Sequence, residues 1–144
     1  MSTVDSGDPV ATAEAFLDAV AWAEHTTVWE LLAPTARVAV LELATRRGMD
    51  TLLAARLREG TAAADERDDF LADLLHGLRA EVVGVDLEAL RCVLGEGGTT
   101  VPGSVLVHLV ADVPAELGDA VPVGRIEVVR SGGRWAVVRL DGAS

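Results

Sequence analysis

The sequence predicts an α+β domain in which N-terminal helices pack on one face of an antiparallel sheet. Apolar residues recur at helical spacing in successive stretches up to about residue 80, and beyond it the period changes to alternation. The chain then closes on a hairpin, Val121–Arg130 and Arg134–Leu140 around Ser131-Gly132-Gly133. With no internal repeat and no linker, residues 4–141 read as a single domain.

Asp8-Pro9 supplies an N-cap and a proline at the first helical position, so a helix is expected from Pro9 to about Glu24. Val10, Ala13, Phe16, Leu17 and Val20 share one face of it. Thr26 or Thr27 can cap a short second helix through Trp29 and Leu32, ended by Pro34. Thr35 opens a third, Ala36 to Arg47, stopped by Gly48, and Asp50 a fourth, Thr51 to Glu59, closed by Gly60. Thr61 to Asp69 is either a solvated connection or the first turn of a helix whose stripe is Phe70, Leu71, Leu74, Leu75 and Leu78. His76 and Asp73 fall off that stripe and are expected to face solvent.

One long strand, or two broken near Glu88, should run from Glu81 to Leu94 with Val83, Val85, Leu87, Ala89, Arg91 and Val93 on one face. Gly95 to Gly98 turns the chain into a further strand, Ser104 to Asp112. In the final hairpin, a three-residue loop pairs Arg130 with Arg134, Val128 with Ala136 and Ile126 with Val138. A two-residue loop would set Ile126 against Arg139 and mix the faces, so the three-residue loop is the expectation.

At 144 residues the chain can bury roughly two thirds of its unfolded surface. Half of the residues are hydrophobic and only 3% aromatic, so the core must be built of Ala, Val and Leu. Lysine, asparagine, glutamine and tyrosine are missing and all 12 basic residues are arginine, the mark of a GC-rich, bacterial genome. A net charge of -11 argues against nucleic acid and anionic membrane as partners. The short polar N-terminus is neither signal peptide nor anchor, and a cytoplasmic location is expected. Cys92, the single cysteine, excludes an intramolecular disulfide and reads as a small buried hydrophobe.

Three stretches, Ala13-Glu14-Ala15-Phe16-Leu17-Asp18-Ala19-Val20, Val28-Trp29-Glu30-Leu31-Leu32-Ala33-Pro34 and Gly132-Gly133-Arg134-Trp135-Ala136-Val137-Val138, carry a likeness to a known family. In them the chain resembles the nuclear transport factor 2-like (cystatin-like) superfamily, over nearly its whole length. The resemblance implies a curved sheet wrapped round a helix to leave a cone-shaped pocket. The superfamily includes ketosteroid isomerases, polyketide cyclases, dehydratases and non-catalytic members. Its isomerases use a tyrosine on the first helix, and this chain has none.

The expected function is therefore non-catalytic binding of a small ligand or a partner, without cofactor or metal. The alternative is a cyclase- or dehydratase-like enzyme acting on an apolar molecule such as a polyketide or steroid. His25, Arg91 and His108 are its candidate catalytic groups. His25 reads otherwise as a helix-end residue and His108 as an outer-face histidine. Arg91 either aims a guanidinium at the interior, needing an acid or anionic ligand, or is turned outward by a bulge near Glu88. His76 with Asp73 lacks a third metal ligand. The expected pocket residues are Phe16, Val20, Val85 and Arg91 with Val107, Leu109, Val128 and Val138.

On the same parity the face away from the helices carries Leu106, His108, Val110, Val129, Trp135 and Val137, edged by Arg125, Glu127 and Arg139. An apolar centre with a polar rim predicts a homodimer through this face, or a different protein or terminal segment covering it.

Overall fold

The structure, a computed structural model, describes residues 8–82, 87, 90–95, 99–111 and 121–142. Helices α1 (Pro9–Ala21), α2 (His25–Leu31), α3 (Pro34–Arg46), α4 (Thr51–Glu59) and α5 (Ala64–Glu81) precede strands β1 (Leu90–Gly95), β2 (Val105–Ala111), β3 (Val121–Ser131) and β4 (Arg134–Gly142). The strands form one antiparallel sheet in the order β1-β2-β3-β4. The α+β expectation is met, with helices first and sheet after. Val83, Val85 and the predicted break near Glu88 lie outside the described residues.

The first helix begins as its sequence dictates: the Asp8 carboxylate accepts the Val10 amide at 2.9 Å and Pro9 opens the helical backbone. It ends at Ala21, earlier than expected. The Glu24 amide bonds back to the Ala19 carbonyl at 2.8 Å and the Ala23 amide to Val20 at 3.4 Å, with Ala23 at φ +58°. That is a Schellman termination with alanine where glycine is the usual residue. Neither expected threonine cap is used: α2 begins at His25, ahead of Thr26 and Thr27, and α3 begins at Pro34 rather than after Thr35, the fixed φ of proline suiting the first helical position. The ambiguous Thr61–Asp69 segment resolves as helix from Ala64, where the Glu66 carboxylate turns back to accept the Ala63 amide at 3.2 Å.

Neither α1 nor α2 carries a basic residue in its last turn. Arginines from elsewhere serve instead. Arg79 of α5 donates to the carbonyls of Val20 (3.0 Å) and Ala21 (2.8 Å). Arg37 of α3 donates to Trp29 (3.0 Å) and Glu30 (3.1 Å), and Arg134 of β4 also donates to Glu30 at 3.1 Å. Each bond meets a carbonyl of a last helical turn and ties two elements together.

The core lies between α1 and the sheet. Phe16 and Val20 of α1 and Val107, Leu109, Ile126, Val128 and Val137 of the sheet are all fully buried. The strand pairing corrects two expectations. In β1 the core-facing residues are Leu90 and Cys92, whereas Arg91 and Val93, paired with Val110 and His108, are exposed.

The hairpin turn has two residues: Ser131 pairs with Arg134, and Gly132 and Gly133 take φ +60° and +84°. Two successive positive φ values match the twist of the strands, which is why this turn wins. The register slip this would cause is absorbed by a bulge. Val128 pairs with Val137 and Glu127 with Arg139, leaving Val138 as the extra residue, so Ile126 meets Leu140 and the two faces stay separate.

Ala23 is the strained point of the helical half, since a left-handed alanine costs about 1–2 kcal/mol that glycine avoids. Ala23→Gly is expected to gain about 0.5–1 kcal/mol net of the greater freedom of the unfolded glycine. Urea denaturation checks this through a raised midpoint with an unchanged slope.

Candidate functional site

A cleft of about 860 Å³ opens between α3, α4 and α5, floored by α1 and β4. Its walls follow from helical spacing. On α3, Ala36, Val40, Leu43, Ala44 and Arg47 fall on one face; on α5, Glu66, Asp69, Phe70, Asp73, Leu74, Gly77, Leu78 and Glu81 do the same. Phe16 of α1, Leu32 after α2, and Val138 and Leu140 of β4 form the floor. The space exists because small residues sit at facing positions. Ala36 and Ala44 leave room on α3, and a Cβ on Gly77 would meet nothing within 4 Å.

The lining is apolar inside and charged at the edge, where Glu66, Asp69, Asp73 and Glu81 meet Arg47 and Arg139. Arg56 of α4 bonds Glu66 of α5 at 2.9 Å and joins the two walls. Trp29 braces Phe70 edge-on, ring centres 5.4 Å apart and planes at 87°. A volume of this size with an apolar lining and few polar groups is what small-molecule sites present.

Of the residues expected in a pocket, Phe16 and Val138 line this cleft. Val20, Val107, Leu109 and Val128 are fully buried in the core beside it. Val85 is outside the described residues, and Arg91 is exposed on the outer sheet face. The three candidate catalytic groups are not brought together. His25 lies 3.4 Å from Asp68 at the surface, Arg91 pairs across the sheet with Val110, and His108 lies against Gly95, where a Cβ would overlap its ring.

Most of the cleft comes from α3, α4 and α5, which sequence reasoning passed over. The available signal was on α5: Asp69 and Asp73 each precede a stripe residue, Phe70 and Leu74, and Gly77 precedes Leu78. Burial, then the Glu14 and Asp18 carboxylates, push the Cys92 thiol up to about 11, away from the thiolate form. Among the described residues no group of three His, Cys, Asp or Glu side chains is placed to hold a metal, and no helix is long and apolar enough to cross a membrane.

The outer sheet face is partly closed by the chain itself. Glu127 is fully buried there, although it was expected at an exposed rim. Its carboxylate accepts the Thr100 amide (2.7 Å) and hydroxyl (2.8 Å), the Val101 amide (3.0 Å) and Arg139 Nε (2.7 Å). Ser104 Oγ, with one proton, lies 2.5 Å from the carboxylate and 2.7 Å from the Val101 carbonyl, and the charged acceptor is the stronger partner. Arg139 also pairs with Asp141.

Leu106, next to Glu127 in the register, is buried too, and Val137 belongs to the core rather than to the outer face. Trp135, expected at the centre of the outer patch, pairs with Arg130 and so shares the face of Val137, packed against the core; His108, Val110, Val129 and Arg139 are half-buried and Arg125 is exposed. Comparison with protein-family models, curated proteins and solved structures returns no match.

Burial alone would raise the Glu127 carboxyl, but the bonds from Ser104, Arg139 and Thr100 outweigh it and hold it at about 2 against an ordinary 4.5. A depressed carboxyl contributes stability in full above its unfolded value and loses it as pH falls through the folded one. The window is therefore pH 4.5 down to 2. Glu127→Gln should cost about 3 kcal/mol at pH 6. In paired urea titrations the gap to the wild type should narrow as pH falls through that window.

Proposed function

We propose that the chain is a non-catalytic, nuclear transport factor 2-like protein that holds an apolar small molecule in the cleft between α3, α4, α5 and β4. The observation that carries this reading is the lining: aliphatic and phenylalanine side chains make most of the wall around about 860 Å³, charged groups of α5 with Arg47 and Arg139 stand at its edge, and no histidine, serine or cysteine is among the described lining residues. Helices laid on an antiparallel sheet are compatible with the nuclear transport factor 2-like fold that the sequence resembles. A cyclase- or dehydratase-like reaction would need an acid and a base converging on the ligand. His25, Arg91 and His108 stand away from the cleft, which favours binding over turnover. Two copies pairing through the outer face would use His108, Val110, Arg125 and Val129, because Leu106, Glu127 and Val137 are buried within the protomer. Sedimentation at micromolar concentration tests that pairing.

The experiment for the cleft is a thermal-shift screen of steroids, aromatic polyketides and medium-chain aliphatic compounds against the wild type and Gly77→Leu. Leucine at position 77 projects into open space and improves helix propensity, so the variant fills the cleft without costing stability. A melting temperature raised in the wild type and unmoved in the variant is the expected result. Turnover lost on substituting His25, Arg91 or His108 would replace binding by catalysis, and shifts equal in both proteins would place the ligand elsewhere.

A further inference from the structure

We infer that the occupant of the cleft is a cationic amphiphile, an apolar body carrying an ammonium or similar charge, with its head held by Asp69 and Asp73. The inference rests on the ligand-binding role proposed above and adds the chemical class. Asp69 and Asp73 stand one turn apart on α5, on the same face as Phe70 and Leu74, so acid and apolar wall are offered together.

The charge balance at the rim decides the sign. Glu66 is bonded to Arg56, and Arg139 is engaged by Glu127 and Asp141. Among the described residues, the lining groups that make no ion pair are then Asp69, Asp73 and Glu81 against Arg47, three carboxylates to one guanidinium. No other side chain can redress this. The chain has no lysine, all of its arginines and histidines lie among the described residues, and only Arg47 and Arg139 of them line the cleft. Asp69, Asp73 and Glu81 are exposed at the rim, so an anionic head would meet net repulsion there, a neutral one would gain nothing from them, and a cation would be attracted.

The test uses three probes with the same tail, n-octylammonium, 1-octanol and octanoate, titrated at pH 7 into isotopically labelled protein. Dissociation constants are read from chemical-shift changes at the leucine methyls. Octylammonium should bind about five- to tenfold more tightly than octanol, as two partly exposed charge pairs allow, with octanoate weakest. The advantage should vanish in Asp69→Asn/Asp73→Asn, fall with added salt, and survive in Glu14→Gln/Asp18→Asn, which removes the same charge from exposed positions on α1.

Gly77→Leu should abolish the methyl shifts. Equal binding of all three probes, blocked by Gly77→Leu, would overturn the cationic ligand and leave the apolar site standing. Binding by none of them would overturn both. A preference for the amine that survives Asp69→Asn/Asp73→Asn, or is lost equally in the control pair, would reduce it to general attraction by an acidic protein and overturn the proposal.

Discussion

The register of the β3–β4 hairpin is the constraint from which the sheet's two faces follow. A glycine pair at positive φ makes the tightest turn, and that turn by itself would send the two strands out of phase with the hydrophobic pattern. The extra residue at Val138 restores the phase. Beyond it Ile126 and Leu140 point to the helices while Glu127 and Arg139 share the outer face. The bulge does more than correct a slip. It places Val138 in the lining of the cleft, and it brings the Arg139 guanidinium to the buried Glu127 carboxylate. Bulges re-aim side chains beside functional surfaces, and this one serves the interior cleft and the outer latch at once.

The helical half depends on a different device. Short helices whose ends lack basic residues would leave carbonyls unsatisfied, so three arginines from distant positions close them. Arg134 reaches α2 from the first residue of β4, and Leu32 and Ala33 reach back to the same strand, the Ala33 amide bonding the Val137 carbonyl at 2.7 Å. The junction between α2 and α3 is thereby attached to the sheet. What lies beyond it, α3 and α4, is free to lean away from α1 and to leave the space that the cleft occupies.

Local signals carried the fold a long way. Asp8-Pro9, Asp50 and Gly60 mark helix ends where they stand, because their chemistry is complete within a few residues. Errors came where the usual signal residue is missing or where a distant contact decides. The end of α1 is set by a Schellman turn at an alanine, which no glycine announces. The inner parity of β1 is set by what Cys92 and Leu90 meet on α1 and β2, and a run of valines on the other parity concealed it. The site was less legible than the fold. Phe16 and Val138 could be named from the resemblance, but a cleft made by Ala36, Ala44 and Gly77 is made by missing side chains, and small residues on helices read as ordinary helix formers. Glu127 was placed on the correct face; its burial depends on the turn holding Thr100 to Ser104, whose contact with it spans more than twenty residues of sequence.

The absence of lysine turns composition into a constraint on where charge can be balanced. Arg37, Arg79 and Arg134 are spent on helix carbonyls, and Arg56, Arg125 and Arg139 on carboxylates within the fold. At least six of the twelve basic residues thus have structural work, and twelve cations cannot meet 23 acids one to one. On a convex surface such acids are merely solvated and screened. At the mouth of an apolar cleft the same acids, though exposed, share one sign beside low-dielectric walls, which focus their field toward the opening. Asp69 and Asp73 lie with Glu66 and Glu81 on the α5 face that also presents Phe70 and Leu74, and since Glu66 is already bonded to Arg56, it is this coincidence of acid and apolar surface that gives the cleft a preferred sign.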